Sequence, residues 1–348
     1  MFNLNTLIRE NIKTLKPYSS ARHEFTGKAS VFLDANENAY GSPLPEKFNR
    51  YPDPLQWQLK FQLAKIKGVP AENIFVGNGS DEVIDLAYRI FCNPAKDNVI
   101  VCPPTYGMYE VSGDINDVAV KKVSLTNDFQ LDAEGILAAV DTNTKLVFIC
   151  SPNNPTGNNM RREDVEIILN NFSGIVIIDE AYINYSKQKT FIQELTEYPN
   201  LVVMQTLSKA WGLAALRLGL CYASLDIINL FNKVKPPYNI NDASQQLALE
   251  ALQNTHLVNE WITAAVLQKE MLIKEMGNFT FVIEVYPSDA NFFLMKVKDA
   301  AHLYAYLSEN EIVVRNRSKD PGCQNCLRIT VGTPDENQQL LDLLKSYK

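Results

Sequence analysis

From residue 74 onward, short β-branched apolar runs alternate with segments whose apolar residues recur every three or four positions. Ile74 to Val76, Val99 to Cys102, Val118 to Val123, Lys145 to Cys150, Ile175 to Asp179, Leu201 to Gln205 and Leu218 to Ala223 read as strands. Helices are expected from about Asp81, after Thr105, and over Arg162 to Asn170. Runs such as Val147-Phe148-Ile149 and Ile175-Val176-Ile177-Ile178 are apolar at every position, the pattern of strands covered on both faces. The alternation predicts an α/β fold: a mainly parallel sheet sandwiched by helices.

Beyond Asp242 the apolar positions keep helical spacing to about Met276 with no interior Gly or Pro, which predicts one long helix linking two domains. Strands near Phe281 to Tyr286, Asn291 to Lys296 and Leu327 to Val331, with helices near Ala300 to Ser308 and Pro334 to Ser346, read as a smaller α+β domain. Residues 1–45 have too little apolar periodicity to fold alone, and are expected to pack on that smaller domain or reach a partner subunit. The division is therefore an N-terminal arm at 1–45, a large domain at 46–245 and a small domain at 246–348.

Composition changes the picture mainly by exclusion. The 348 residues are 46% hydrophobic and 21% charged, ordinary values that leave no room for widespread disorder. A net charge of −7, with no basic run, argues against nucleic acid or an anionic membrane surface as a partner. Met1 to Lys16 holds no apolar core of signal-peptide length and no stretch is long enough to span a bilayer, so a cytoplasmic protein is expected. Six cysteines (Cys92, Cys102, Cys150, Cys221, Cys323 and Cys326) read as free thiols in a reducing compartment. A structural zinc at Cys323-Gln324-Asn325-Cys326 would need a second pair or nearby histidines, and His23, His256 and His302 are dispersed, so no metal is expected.

The candidate chemistry sits where strands end. Thr206-Leu207-Ser208-Lys209 follows an apolar strand and leads to Arg217; a lysine kept from water has a lowered pKa and attacks carbonyls, while the hydroxyls and Arg217 suit a phosphate. Alone, that lysine would be an ordinary solvated turn residue. Ser151-Pro152-Asn153-Asn154 lies at another strand's carboxyl end, where doubly wound sheets bind ligands. Ile175 to Tyr182 puts Asp179 at a third; by itself this acid would be only a helix cap. Gly77-Asn78-Gly79-Ser80-Asp81 follows a strand and opens a helix, whose free amides attract an anion. It is neither a dinucleotide fingerprint nor a P-loop. Tyr106 follows the next strand, where it either stacks on a bound ring or is a core aromatic. An Asp for a pyridinium nitrogen, an Asn and a Tyr for a phenolic oxygen, and a lysine for an aldehyde together meet the electronic needs of pyridoxal phosphate.

The order of these elements resembles fold-type I pyridoxal-phosphate enzymes, and specifically the histidinol-phosphate aminotransferase family. The likeness runs from Leu15-Lys16-Pro17-Tyr18 and Arg22, through Leu33-Asp34-Ala35-Asn36-Glu37-Asn38 and Arg50-Tyr51-Pro52-Asp53, to Leu327-Arg328-Ile329-Thr330-Val331-Gly332-Thr333. It implies a seven-stranded large-domain sheet, a homodimer with shared active sites, and transfer of an amino group between glutamate and imidazole-acetol phosphate. In its terms Lys209 holds the cofactor as a Schiff base and moves the substrate's proton, Asp179 pairs with the ring nitrogen, Asn154 and Tyr182 bond the phenolic oxygen, and Tyr106 stacks on the ring. Gly79, Ser80, Thr206, Ser208 and Arg217 hold the cofactor phosphate, which Tyr51 reaches from the other subunit, and Asp81 is a further cofactor-binding residue. Arg328 binds a substrate acid or phosphate, and Tyr18, Asn36 and Arg22 line the substrate end. Nothing is carried over to the charged loop Asn316 to Cys326; Arg315 reads either as a surface charge or as a phosphate contact, and Arg317 as a surface charge. Competing readings are an aromatic aminotransferase, a pyridoxal-dependent decarboxylase and a cofactor-binding regulator without turnover; for the last, no basic DNA-binding module precedes the fold.

Overall fold

Two sheets organise residues 2–18 and 30–347, which the computed structural model describes. The larger has the order β1-β7-β6-β5-β4-β2-β3, built from β1 Ile74–Asn78, β2 Asn98–Val101, β3 Ala119–Lys122, β4 Thr144–Cys150, β5 Ile175–Asp179, β6 Leu201–Thr206 and β7 Leu218–Ala223. Pairing is parallel from β3 through β2, β4 and β5 to β6. β7 is antiparallel to both its neighbours, β6 and β1. No α-helix separates β6 from β7 to carry a crossover, so the chain returns beside the strand it has just left. The start of β7 thus lies at the end where its neighbours finish.

Each central strand serves two cores. Leu146 and Phe148 of β4 face one side, Val147 and Ile149 the other, which is why these strands show no polar alternation. The short helices α1 Leu4–Leu7 and α2 Glu10–Thr14 open the chain. On one sheet face lie α4 Ser80–Phe91, α5 Met108–Ile115 and α8 Leu225–Val234; on the other lie α3 Trp57–Lys67, α6 Ala133–Ala139 and α7 Arg162–Asn171. Asp81 and Glu82 sit in the first turn of α4, favourable at a positive helix end, and Val83, Ile84, Ala87 and Phe91 form its buried face.

The smaller sheet is antiparallel, in the order β10-β11-β9-β8, with β8 Val282–Val285, β9 Phe292–Val297, β10 Arg315–Asn316 and β11 Cys326–Thr330. Its core joins Phe293 and Met295 to Leu303 and Leu307 of α11 Ala300–Glu309 and to Leu340 and Leu344 of α12 Pro334–Lys345. α12 begins with Pro334 in its first turn and a reciprocal Thr333–Glu336 capping box, as its sequence directs.

Three expectations differ from what is observed. The predicted single helix is two, α9 Asp242–Ala251 and α10 Thr255–Met276. No Gly or Pro marks the break; the amide nitrogen of the Asn254 side chain instead takes the carbonyl of Glu250, competing with continued helix. Ala248, Leu252 and Val258 pack in the large core, so the change from one core to the other falls inside α10, later than residue 246. The chain's beginning packs on the large sheet rather than the small one: Leu7 joins its core, the Arg9 amide donates to the Ile90 carbonyl at 3.0 Å, and Lys233 reaches the Lys13 carbonyl at 2.9 Å. Among the described residues no helix is long and apolar enough to cross a membrane, and no cluster of three or more His, Cys, Asp or Glu is placed to hold a metal.

Candidate active site

The carboxyl ends of β1, β4, β5 and β6 and the amino end of β7 converge on a cavity of about 690 Å³ that Arg328 of β11 closes from the small sheet. Parallel register does the positioning: Cys150 at the end of β4 pairs with Asp179 at the end of β5, which pairs with Met204 of β6. Segments leaving these strands therefore emerge side by side.

Asp179 is buried at the base. Its Oδ2 accepts the Tyr109 hydroxyl at 2.7 Å and its Oδ1 accepts the Ala181 amide at 3.0 Å. Burial raises its pKa; the Tyr109 and Ala181 hydrogen bonds oppose this, and the charge of Asp81 adds to it. A carboxylate so far from water has strong affinity for a cation brought beside it. Lys209 projects into the cavity, open to it but flanked by protein, with Nζ 5.5 Å from the centre of the Tyr182 ring. Partial burial, then Arg328, lowers its pKa, which favours the neutral, nucleophilic amine.

Opposite lies a cradle of backbone and cation. Gly79 has φ +76°, and a Cβ there would come within 2.6 Å of Arg217 Nη2. Its amide donates to the Arg217 carbonyl at 2.7 Å, and Arg217 itself takes the left-handed conformation, φ 55°. A Cβ on Gly219 would strike the carbonyl carbon of Gly79 and the Ser80 nitrogen at 2.3 Å, so the turn rests directly on β7. Ser80 starts α4, Asp81 Oδ2 stands 3.6 Å from Arg217 Nη2, and Ser208 lines the same wall. Thr206 is partly diverted: its hydroxyl donates to the Leu218 carbonyl at 3.2 Å and accepts the Ser208 amide at 3.1 Å, shaping the turn that carries the lysine.

The remaining walls are aromatic and cationic. The Tyr106 hydroxyl donates to Asp81 Oδ1 at 3.0 Å, and its ring meets Tyr109 edge-on at 5.6 Å. Tyr182 packs edge-on to Phe292 at 4.9 Å, and the Arg328 guanidinium lies 5.2 Å over the same Phe292 ring. Arg328 Nη1 donates to Asn154 Oδ1, while its Nε is buried without a hydrogen-bond partner among the described residues. A guanidinium that lines the cavity and keeps one buried N–H without a partner is suited to an anionic group.

Lys209, Asp179, Tyr182, Asn154, Tyr106, Ser80, Asp81, Thr206, Ser208, Arg217 and Arg328 are therefore brought to one cavity, with Gly79 directly behind it. Asn36 and Tyr51 are not: they line a separate cavity of about 470 Å³, where Tyr51 stacks on Tyr238 at 4.5 Å. Tyr18 is 74% exposed and lines neither, and Arg22 lies outside the described residues. The sequence reading missed Tyr109, whose signal was its place one helical turn after Tyr106. It also assigned Arg317 to the surface; Arg317 lines the cavity with Arg315 and Asp320, because the β10–β11 hairpin brings their loop to the same edge as Arg328.

An amine beside a buried acid, with a glycine turn and guanidinium opposite, fits a cofactor bearing an aldehyde, a basic ring nitrogen and a phosphate. A sequence profile of the aminotransferase class I and II family matches residues 33–344. The histidinol-phosphate aminotransferase of Cytophaga hutchinsonii is 55% identical over 346 residues, covering 99% of each chain. That of Bacteroides thetaiotaomicron is 53% identical over 349 residues, covering 100% of each. Among solved structures, histidinol-phosphate aminotransferase from Sinorhizobium meliloti in complex with pyridoxal-5'-phosphate is similar at TM-score 0.76 and 23% identity, covering 90% of each chain.

Proposed function

Because the chain belongs to the class I and II aminotransferase family, we propose that it is a pyridoxal-phosphate-dependent histidinol-phosphate aminotransferase. It exchanges an amino group between glutamate and imidazole-acetol phosphate, giving 2-oxoglutarate and histidinol phosphate, a step of histidine synthesis. The observation that carries this reading is the single cavity joining Lys209 and Asp179 to an Arg328 guanidinium with a buried, unpaired donor.

Pyridoxal phosphate, when bound, supplies an aldehyde that condenses with an amine and a ring that accepts electrons from the bond being broken. Lys209 Nζ would anchor the aldehyde end and, once freed from it, would carry the proton from the substrate's reacting carbon to the carbon that had been the aldehyde's. Asp179 holds the proton on the ring nitrogen, and Tyr109 fixes the carboxylate's orientation. The Ser80 amide, Gly79, Ser208 and Arg217 bind the phosphate, with Asp81 orienting Arg217 and Thr206 shaping the turn. Tyr182 and Asn154 hold the phenolic oxygen, and Tyr106 covers the ring. Arg328 binds the substrate's carboxylate or phosphate; its hydrogen bond to Asn154 ties substrate binding to the group that orients the cofactor.

The cofactor-loaded protein is expected to pass through both half-reactions with glutamate and imidazole-acetol phosphate, with histidinol phosphate identified as product. Phenylalanine serving as the better amino donor would replace this reading by that of an aromatic aminotransferase, and loss of carbon dioxide by that of a decarboxylase.

The same reading makes the protein a cytoplasmic homodimer. Trp261, Phe61 and Leu267 are each exposed, as expected of apolar side chains that a partner covers, and Tyr51, away from its own chain's Lys209, is available to the partner's cofactor phosphate. Six buried free cysteines support a reducing compartment. Light scattering on the loaded protein is expected to give twice the chain mass; a fully active monomer would refute the shared site.

A further inference from the structure

Asn154 stands on a turn that closes on itself. The Gly157 amide donates to the Asn153 carbonyl at 2.7 Å, and the Asn153 amide donates to the Asn158 carbonyl at 2.9 Å. The Asn153 side chain is fully buried and donates to the Pro104 carbonyl and the Thr156 hydroxyl, each at 2.8 Å, which fixes one side of the turn to the large domain. Arg328 already occupies Asn154 Oδ1, so Nδ2 is the group left to face a bound ring.

The other side of the turn rests on the small domain. In the loop between β8 and β9, residues 286–291, the Asp289 amide donates to the Gly157 carbonyl at 2.7 Å, and Asp289 Oδ2 accepts the Asn159 amide at 3.1 Å. Gly157 has φ +87°, and a Cβ there would meet Ser288 Oγ at 2.6 Å and Ser288 Cβ at 2.9 Å, so the two segments touch only because residue 157 has no side chain. The loop is gripped from behind in turn. Lys269 of α10 is 4% exposed, and its Nζ donates to the carbonyls of Ser288 at 2.7 Å and Ala290 at 2.9 Å, the residues that flank Asp289. In a planar trans peptide the Ser288 carbonyl and the Asp289 N–H point opposite ways, so drawing the first to Lys269 aims the second at Gly157. Burial lowers the pKa of Lys269, and the Asp289 carboxylate is the first of the charges that oppose this.

We propose that Lys269 is a positioning residue for amino transfer: through the Ser288–Asp289 peptide it sets the turn from which Asn154 bonds the cofactor's phenolic oxygen. This rests on the cofactor and on the role given to Asn154 above. Lys269 itself does not line the cavity. A hydrogen bond given to an anionic oxygen lowers that oxygen's basicity. In pyridoxal phosphate the phenolic oxygen is ortho to the aldehyde carbon, so it shares the proton of the nitrogen that joins Lys209 to the cofactor. The bond from Asn154 makes that proton easier to lose, and a slackened turn should raise the pH at which it leaves.

The test titrates the loaded enzyme and reads the visible absorption band, which moves when that nitrogen loses its proton. Lys269→Met is expected to raise the midpoint by about half a pH unit, a roughly threefold change in the proton equilibrium, and Asn154→Ala by about one unit or more. The double variant should titrate no higher than Asn154→Ala, because both changes act through one hydrogen bond. Asp289→Ala keeps Lys269 and its two carbonyl bonds but removes the contact with Asn159, and should shift the midpoint the same way by a smaller amount. Should Lys269→Met fail to fold, Asp289→Ala carries the test alone, and a midpoint it leaves in place would overturn the proposal. A lysine serving stability only would lower the melting temperature and leave the midpoint of the folded, loaded protein where it was. That result, or shifts that add in the double variant, would equally overturn it. An unmoved midpoint in Asn154→Ala would instead remove the role given to Asn154, and with it the reading of the site on which Lys269 depends.

Discussion

Lys209→Ala is expected to leave a folded protein that stays colourless after incubation with pyridoxal phosphate and dialysis. Amino transfer should fall by roughly four orders of magnitude or more, since one amine both anchors the cofactor and moves the proton. Folding should survive because the side chain lines the cavity and belongs to none of the three cores. In the native protein, borohydride after cofactor binding should fix a pyridoxyl label on Lys209. The lowered pKa sets the pH dependence of capture. The protonated amine cannot attack, so the rate should climb with pH and level off below the ordinary lysine value near 10.4, because burial and Arg328 disfavour the cation. A plateau only above that value would show that the environment does not activate the lysine, and turnover near the native rate in Lys209→Ala would remove the central assignment.

Much of this site was legible in the sequence because a parallel sheet turns linear order into spatial convergence. Once Ile175 to Asp179 and Leu201 to Thr206 are neighbouring strands, Asp179 and Lys209 must leave the sheet at one edge. The apolar runs sufficed for that, since both faces of each strand are buried. What escaped was set by tertiary contact. The break between α9 and α10 depends on an asparagine bond to a backbone carbonyl rather than on Gly or Pro. β10 has two residues, too few for any period, yet its pairing of Arg315 with Arg328 is what carries Arg317 and Asp320 to the cavity. The bond between Arg328 and Asn154 joins the two sheets, which no local pattern predicts.

Asp179→Asn should lower the limiting rate by roughly two to three orders of magnitude while changing substrate half-saturation far less, as expected for a group whose charge matters most when electrons enter the ring. Asparagine keeps the shape and can still accept the Tyr109 hydroxyl, so the loss isolates the charge. Linkage gives a second readout. In the apoprotein, burial holds Asp179 above the ordinary carboxylate range, so the folded state binds its proton more tightly than the unfolded chain. That contribution to stability is fully present below the unfolded pKa and is lost as pH rises through the raised folded value. A protonated ring nitrogen reverses the balance by drawing the carboxylate's pKa down, so cofactor binding should stabilise the protein increasingly as pH rises through the same window. Melting curves of apoprotein and loaded protein between pH 4 and 8 should show this widening gap in the native chain and a nearly constant one in Asp179→Asn. If both gaps widen alike, Asp179 is not the charge behind the ring, and the site's chemistry must draw its electron sink from elsewhere.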